Sequence, residues 1–208
     1  MDVACSVLCV SHTTGSDGDE IGRRVAEQLG YLYVDEDIVA AAAAQGGVDP
    51  EDVADEERRK TYARRILEAL AEGGGDPVVL AATAGIEVVS PADIRALIRE
   101  TVVQTAARGN VVIVAHAAAH AIEPGQRTLR VLVTASTATR TRRVAGAEQF
   151  DGAKAARTIK DSDAGRRDYL KRFYSVDNES STDYDLVINT DVLTAEQAAQ
   201  IIIRAADR

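Results

Sequence analysis

Apolar and polar positions alternate along the chain in blocks that predict strands and helices in turn. Residues 3–10 are short, apolar and rich in β-branched side chains, the pattern of a buried strand. Ile21, Val25 and Leu29 then recur at helical spacing until Gly30 closes the helix. Further on, residues 111–115 form a continuous apolar run after Gly109-Asn110, and residues 129–134 a mainly apolar one after Pro124-Gly125. Both read as interior strands covered on two faces, with residues 186–189 as a shorter third. Helices are predicted over 90–108, with Ser90 as N-cap and Pro91 at the first helical position, and over 194–206, where Thr194 and Gln197 can form a capping box. Residues 38–70 have helical composition broken at Gly46-Gly47, after which Asp49 and Pro50 can start a second helix. Gly73-Gly74-Gly75-Asp76-Pro77 reads as a loop, and residues 78–89 fit a strand or a buried helix equally. Strands alternating with helices predict an α/β fold with a mainly parallel sheet.

At 208 residues the chain suits a single domain over 1–208, long enough for a three-layer core. A hydrophobic fraction of 46% excludes a disordered chain, and a net charge of −9 argues against a broad nucleic-acid-binding surface. No run approaches the roughly 20 apolar residues of a membrane span and no signal peptide opens the sequence, so the expected partners include no membrane and the expected compartment is the cytoplasm. Cys5 and Cys9 fall in the expected first strand, about 13 Å apart, and so read as buried thiols.

Between that strand and the first helix lies Ser11-His12-Thr13-Thr14-Gly15-Ser16-Asp17-Gly18-Asp19-Glu20-Ile21-Gly22. A glycine turn entering a helix N-terminus is where backbone N–H groups converge on phosphate. The lysine that usually completes such a loop is absent, and Asp17, Asp19 and Glu20 stand in the turn and first helical turn. Two unit charges about 4 Å apart interact by roughly 4 kcal/mol at an effective dielectric of about 20, so unneutralised acids oppose a triphosphate unless a divalent cation reverses the sign. Acids at a helix start also serve as ordinary capping residues.

The order of segments resembles the cytidylate kinase-like family, P-loop proteins related to nucleoside monophosphate kinases. Ser11, Gly15, Ser16, Gly18, Glu20 and Ile21 match the family's first segment, and Leu29, Gly30 and Asp35 its next one. The run from Gly109 to Val114 looks like the family's central strand. Arg140 and Arg143 match the helix before a mobile lid, placed at about 145–175, and Asp163, Arg166, Tyr169 and Phe173 match the lid's far side. Tyr184-Asp185-Leu186-Val187-Ile188-Asn189-Thr190 is the most specific match. The resemblance implies a three-layer α/β/α P-loop NTPase-like fold with a mainly parallel sheet and a helical lid. It implies ATP with Mg²⁺, the phosphates at Gly15, Ser16, Asp17, Gly18, Asp19 and Glu20, and an acceptor nucleotide met by Asp35 and His116. Arg140, Arg143 and Arg166 become the catalytic residues, neutralising charge as the phosphoryl group moves. The departures fall on charge-bearing positions: Asp17 stands for a loop glycine, Asp19 for a basic residue, His12 for an arginine, Ala115-His116 for Gly-Arg, Glu36 for a basic or polar residue and Ala164 for the lid lysine.

Each candidate also has a plainer reading. Arg140-Thr141-Arg142-Arg143 can be a solvated helix face, Arg166-Arg167 can pair with Asp161, Asp163 or Asp168, and Asp35 can be a loop acid before a helix. His116 and His120 share a face if helical, and with His12 they could replace some of the missing positive charge, since an unperturbed imidazole titrates near pH 6.5. No standard metal-ligand spacing joins them to Asp17, Asp19 or Asp35. Two readings follow: a nucleotide-binding phosphotransferase that phosphorylates a nucleoside monophosphate, and a noncatalytic relative acting as a regulatory or interaction module. A more remote one is a sensor of a nucleoside or a monophosphate. The alanine runs at 40–44 and 117–119 permit close helix contacts within the fold or between copies in a homo-oligomer.

Overall fold

The computed structural model describes residues 4–35, 91–115, 118–125 and 127–207, with backbone alone at 91–98, 101, 172 and 173. The two helices, glycine loop and ambiguous run expected within 36–90, together with Ser90 and His116, lie outside the described residues. The chain divides into two compact units, Met1–Tyr33 with Gly109–Arg208, and Val34–Arg108.

In the first unit β1 (Val7–His12) leads through a turn to α1 (Gly18–Leu29), and β2 (Leu32–Asp35) starts there. After the second unit come β3 (Val111–Val114), α3 (Ala118–Ala121), β4 (Thr128–Thr134), α4 (Thr137–Glu148), α5 (Gly152–Tyr174), β5 (Leu186–Asn189) and α6 (Ala195–Ala206). In the second unit α2 (Pro91–Arg108) opens on its proline, where the missing N–H costs nothing.

The five strands run in the order β2-β3-β1-β4-β5, and β1 pairs in parallel with both β3 and β4. All six β1 residues are buried, as expected of a strand with neighbours on both edges and helices on both faces. Leu8 and Val10 face the main core with Val112, Val114, Leu129, Val131 and Val133, against Ile21 and Val25 of α1 and Ala198 and Ile202 of α6. Each large apolar side chain buried there contributes about 1.5–3 kcal/mol.

β1 starts later and ends later than its apolar run suggests. Cys5 N–H donates to Ala206 O at 3.1 Å, which ties the preceding residues to the end of α6, whereas His12 pairs with Val133. The expected ends of α1 and α6 hold: Gly30 closes α1 in the left-handed region, and Thr194 and Gln197 form a reciprocal capping box. Because the chain leaves β1 for strands on either side, the crevice beyond its C-terminal end is the ligand position of open α/β sheets.

Gly22 lets α1 lie close on the sheet, for a Cβ there would stand 2.4 Å from Val114 Cγ2. Gly22→Ala is expected to lower stability in urea by about 1–3 kcal/mol through overpacking. Gly146→Ala, on α4 with open space around it, should instead add about 0.5–1 kcal/mol of helix propensity. Equal midpoints for the two variants would contradict this packing.

Candidate functional site

The turn after β1 is pinned from inside. Ser16 is fully buried, and its Oγ lies 2.7 Å from Thr13 O and 3.1 Å from Val133 O, so its one proton is held within the protein. Ser16 N–H donates to Thr13 O, and Thr190 Oγ1, just past β5, donates to Ser16 O at 3.0 Å. Ser16 therefore shapes the turn through these carbonyls. Gly15 sits at φ +79°, and a Cβ there would lie 2.9 Å from Arg140 O, so only glycine fits. Gly18 is covered by His12, whose Cβ would be 2.2 Å from an added Cβ.

Asp17 is the N-cap of α1 in position alone. It lies in the left-handed region at φ 65°, and its carboxylate makes no capping bond. Asp17 Oδ2 is instead 3.1 Å from Arg143 Nε, which corrects the plain capping reading. Asp19 and Glu20 also have basic neighbours: Asp19 Oδ1 is 3.5 Å from the imidazole Nε2 of His12, and Glu20 is 2.7 Å from the Arg24 guanidinium one helical turn on.

The three expected arginines meet at this turn. Arg143 donates to Gly15 O at 3.3 Å, Thr190 Oγ1 at 2.9 Å and Thr190 O at 2.8 Å. Arg140 holds Asp163 through both terminal nitrogens, at 2.8 and 2.7 Å, and reaches Thr14 O at 3.4 Å. Its Nε is buried with no hydrogen-bond partner among the described residues. Arg166 donates to His12 O at 3.2 Å and Tyr184 Oη at 3.2 Å, and grips Glu179 through Nε and a terminal nitrogen. Arg140 is thus buried rather than part of a solvated face, and Arg166, buried as well, pairs with Glu179, an acid outside the three expected for it. Asp163 is turned to Arg140, and Asp161 pairs with Arg157 on the exposed side of α5. A hydroxyl pair, Thr14 Oγ1 and Ser162 Oγ at 2.6 Å, joins the turn to α5 as well.

Glu179 and Tyr184 complete a cluster that sequence reasoning did not assemble. Tyr184 Oη donates to Glu179 Oε1 and stands 3.4 Å from His120 Nε2. Burial pushes the Glu179 carboxyl up, but hydrogen bonding and charge from Arg166 outweigh it and hold the group below the ordinary range. Burial, then the bond to Glu179, push the Tyr184 phenol well up. Burial lowers His120, which stays neutral at pH 7 and adds no cation to the turn. Tyr184 was visible in the last-strand match, whereas Glu179 sits in a polar loop with no periodicity to mark it.

Asp35 closes β2 in the second unit, and His116 is outside the described residues. Among the described residues no group of three His, Cys, Asp or Glu side chains could hold a metal ion, and no helix is long and apolar enough to cross a membrane.

The description "Cytidylate kinase-like family" belongs to the family model that matches residues 7–192. No curated protein matches the chain. Among solved structures, an uncharacterized protein from Eubacterium ventriosum superposes with a TM-score of 0.65 at 17% identity, covering 97% of this chain and 98% of that one. Shikimate kinase from Bacteroides thetaiotaomicron gives 0.54 at 15% identity over 97% and 98% of the two chains. Shikimate kinase from Acinetobacter baumannii, in complex with shikimate, gives 0.51 at 14% identity over 97% and 92%. At these identities the likeness is one of fold: a five-stranded α/β arrangement of the P-loop kinase kind.

Glu179→Gln is expected to cost about 3 kcal/mol at pH 7, because Arg166 is left as a buried charge without its counter-ion. The wild-type carboxyl is depressed in the folded state, so its contribution is present above the unfolded value and lost as pH falls through the folded one. The deficit should therefore shrink as urea titrations move below about pH 4.3. A deficit constant from neutral pH down to about 3 would show that Glu179 is not the charge partner.

Proposed function

We propose that this chain, which belongs to the cytidylate kinase-like family, binds a nucleotide at the turn after β1 and transfers the γ-phosphoryl group of ATP to a nucleoside monophosphate. The observation that carries the reading is the convergence of Arg140 and Arg143 on carbonyls of that turn, at Thr14 and Gly15, and of Arg166 on the carbonyl of His12 at the end of β1 that leads into it. Phosphoryl transfer asks little covalent chemistry of a protein and much positioning and charge neutralisation, for which guanidinium groups around a glycine turn are suited.

In this reading the N–H groups of the turn between Gly15 and Glu20, other than that of Ser16, which is held by Thr13 O, hold the donor phosphates; Arg143 exchanges its carboxylate for phosphate as the ligand enters, and Arg140 and Arg166 add positive charge beside it while keeping theirs. Asp35 and His116 are carried as acceptor-side residues on the family resemblance. Mg²⁺ would supply positive charge against the donor phosphates there. Asp19 and Glu20, with side chains about half exposed at the head of α1, offer hard oxygen donors suited to that ion or its waters. The surroundings expected for such a reaction are those of a water-soluble enzyme in the cytoplasm.

A second reading, a noncatalytic relative serving as a regulatory or interaction module, is favoured by a different observation. Each arginine that touches the turn is already matched to a carboxylate, Arg140 to Asp163, Arg143 to Asp17 and Arg166 to Glu179. No lysine stands in the turn itself.

Calorimetric titration with ATP and with CMP, each with and without Mg²⁺, separates the two. Micromolar binding of Mg·ATP followed by phosphate transfer to CMP or another nucleoside monophosphate is the expected outcome. No heat at millimolar nucleotide would overturn the enzyme and leave the noncatalytic relative.

A further inference from the structure

The ion pairs at the turn differ in how readily they can be opened. The side chains of Arg140 and Arg166 are 6% and 5% exposed, and each grips its carboxylate through two nitrogens. Breaking either would strand a buried charge. Arg143 is 26% exposed, its partner Asp17 is 39% exposed, and a single nitrogen, Nε, links the two. Asp17 can leave for solvent while Arg143 keeps its bonds to Gly15 and Thr190. One pair, then, is built to exchange its anion.

Asp17 sits where exchange matters. Its backbone is the N-cap of α1, the end of a helix that attracts anions, yet its carboxylate makes no capping bond there and turns to Arg143. Asp17 takes this place with a left-handed backbone that residues other than glycine seldom adopt. A ligand phosphate that takes Arg143 must displace Asp17, and every further negative charge it brings meets Asp17, Asp19 and Glu20, while Arg24 on α1 is shared between Glu20 and Glu196.

We propose that Asp17 is a specificity-determining residue: an internal anion on Arg143 that makes the turn discriminate by ligand charge. It admits a single phosphate, or several neutralised by a divalent cation, and rejects a free triphosphate. The inference rests on the nucleotide reading above and narrows its substrate class. It assigns Asp17 a role in recognition, distinct from the fold of the turn, because the neutral Asp17→Asn keeps the side chain's shape and the left-handed backbone that asparagine tolerates.

The test measures dissociation constants of AMP, of ATP in excess EDTA and of Mg·ATP, for wild type and for Asp17→Asn. In the wild type, free ATP should bind at least about tenfold more weakly than Mg·ATP and no more tightly than AMP. In Asp17→Asn, free ATP should gain about tenfold, AMP and Mg·ATP less than about threefold, so that the discrimination collapses. Asp17→Gly serves as the second variant, removing the carboxylate with a residue at ease in this backbone, and should give the same pattern. If nucleotides bind and the ratio of free ATP to Mg·ATP is the same in all three proteins, the role of Asp17 is overturned and the nucleotide reading stands. If neither variant nor wild type binds any of the three at millimolar concentration, both fall together.

Discussion

A buried guanidinium group must have a counter-ion, and in this protein that requirement organises the end of the sheet. Arg140 and Arg166 lie among the turn, α4 and α5 with almost no access to water, so each draws a carboxylate to itself. Asp163 thereby fixes α5 against α4, and Glu179 fixes the loop after α5 near Tyr184 and the end of β1. Arg143, through Thr190, ties the same turn to the chain leaving β5. Apolar packing brings the strands and helices together, but these three charges set how α4, α5 and the turn face one another.

The turn itself joins two demands that pull against each other. Its glycines and its N-cap geometry suit a bound anion, while its acids already supply negative charge from within. The protein resolves the conflict by giving each acid a cation or imidazole, Arg143 for Asp17, His12 for Asp19 and Arg24 for Glu20. What remains is a phosphate-shaped turn in near charge balance, a different starting point from a loop that carries its own lysine.

How much of this could be read from the residues depended on distance along the chain. Local signals were sound. Gly30 ended α1, Thr194 and Gln197 capped α6, and residues 186–189 formed β5 within the bounds their apolar run suggested. The start of β1 was misjudged because the Cys5 N–H, inside the same apolar run, bonds to the end of α6 and not to a neighbouring strand. In the site, Arg140, Arg143 and Arg166 were legible through the family resemblance, and they do reach the turn. Their carboxylate partners were not. Asp17 had the plain reading of a helix cap, Asp163 was one of three acids open to Arg166-Arg167, and Glu179 carried no reading at all. A pair formed between distant segments leaves no periodicity in either, and three-dimensional placement alone decides among several nearby acids.

The two cysteines acquire a use from where the fold has put them. Cys5 and Cys9 are both wholly buried and outside any disulfide, Cys9 on the central strand with its thiol pushed up to about 12 by burial. A thiol held protonated beneath two layers of helix is inert to alkylation until the sheet opens. The rate at which such a reagent consumes them is therefore a clock for opening of the central strand region, blind to motions confined to the arginines and the turn.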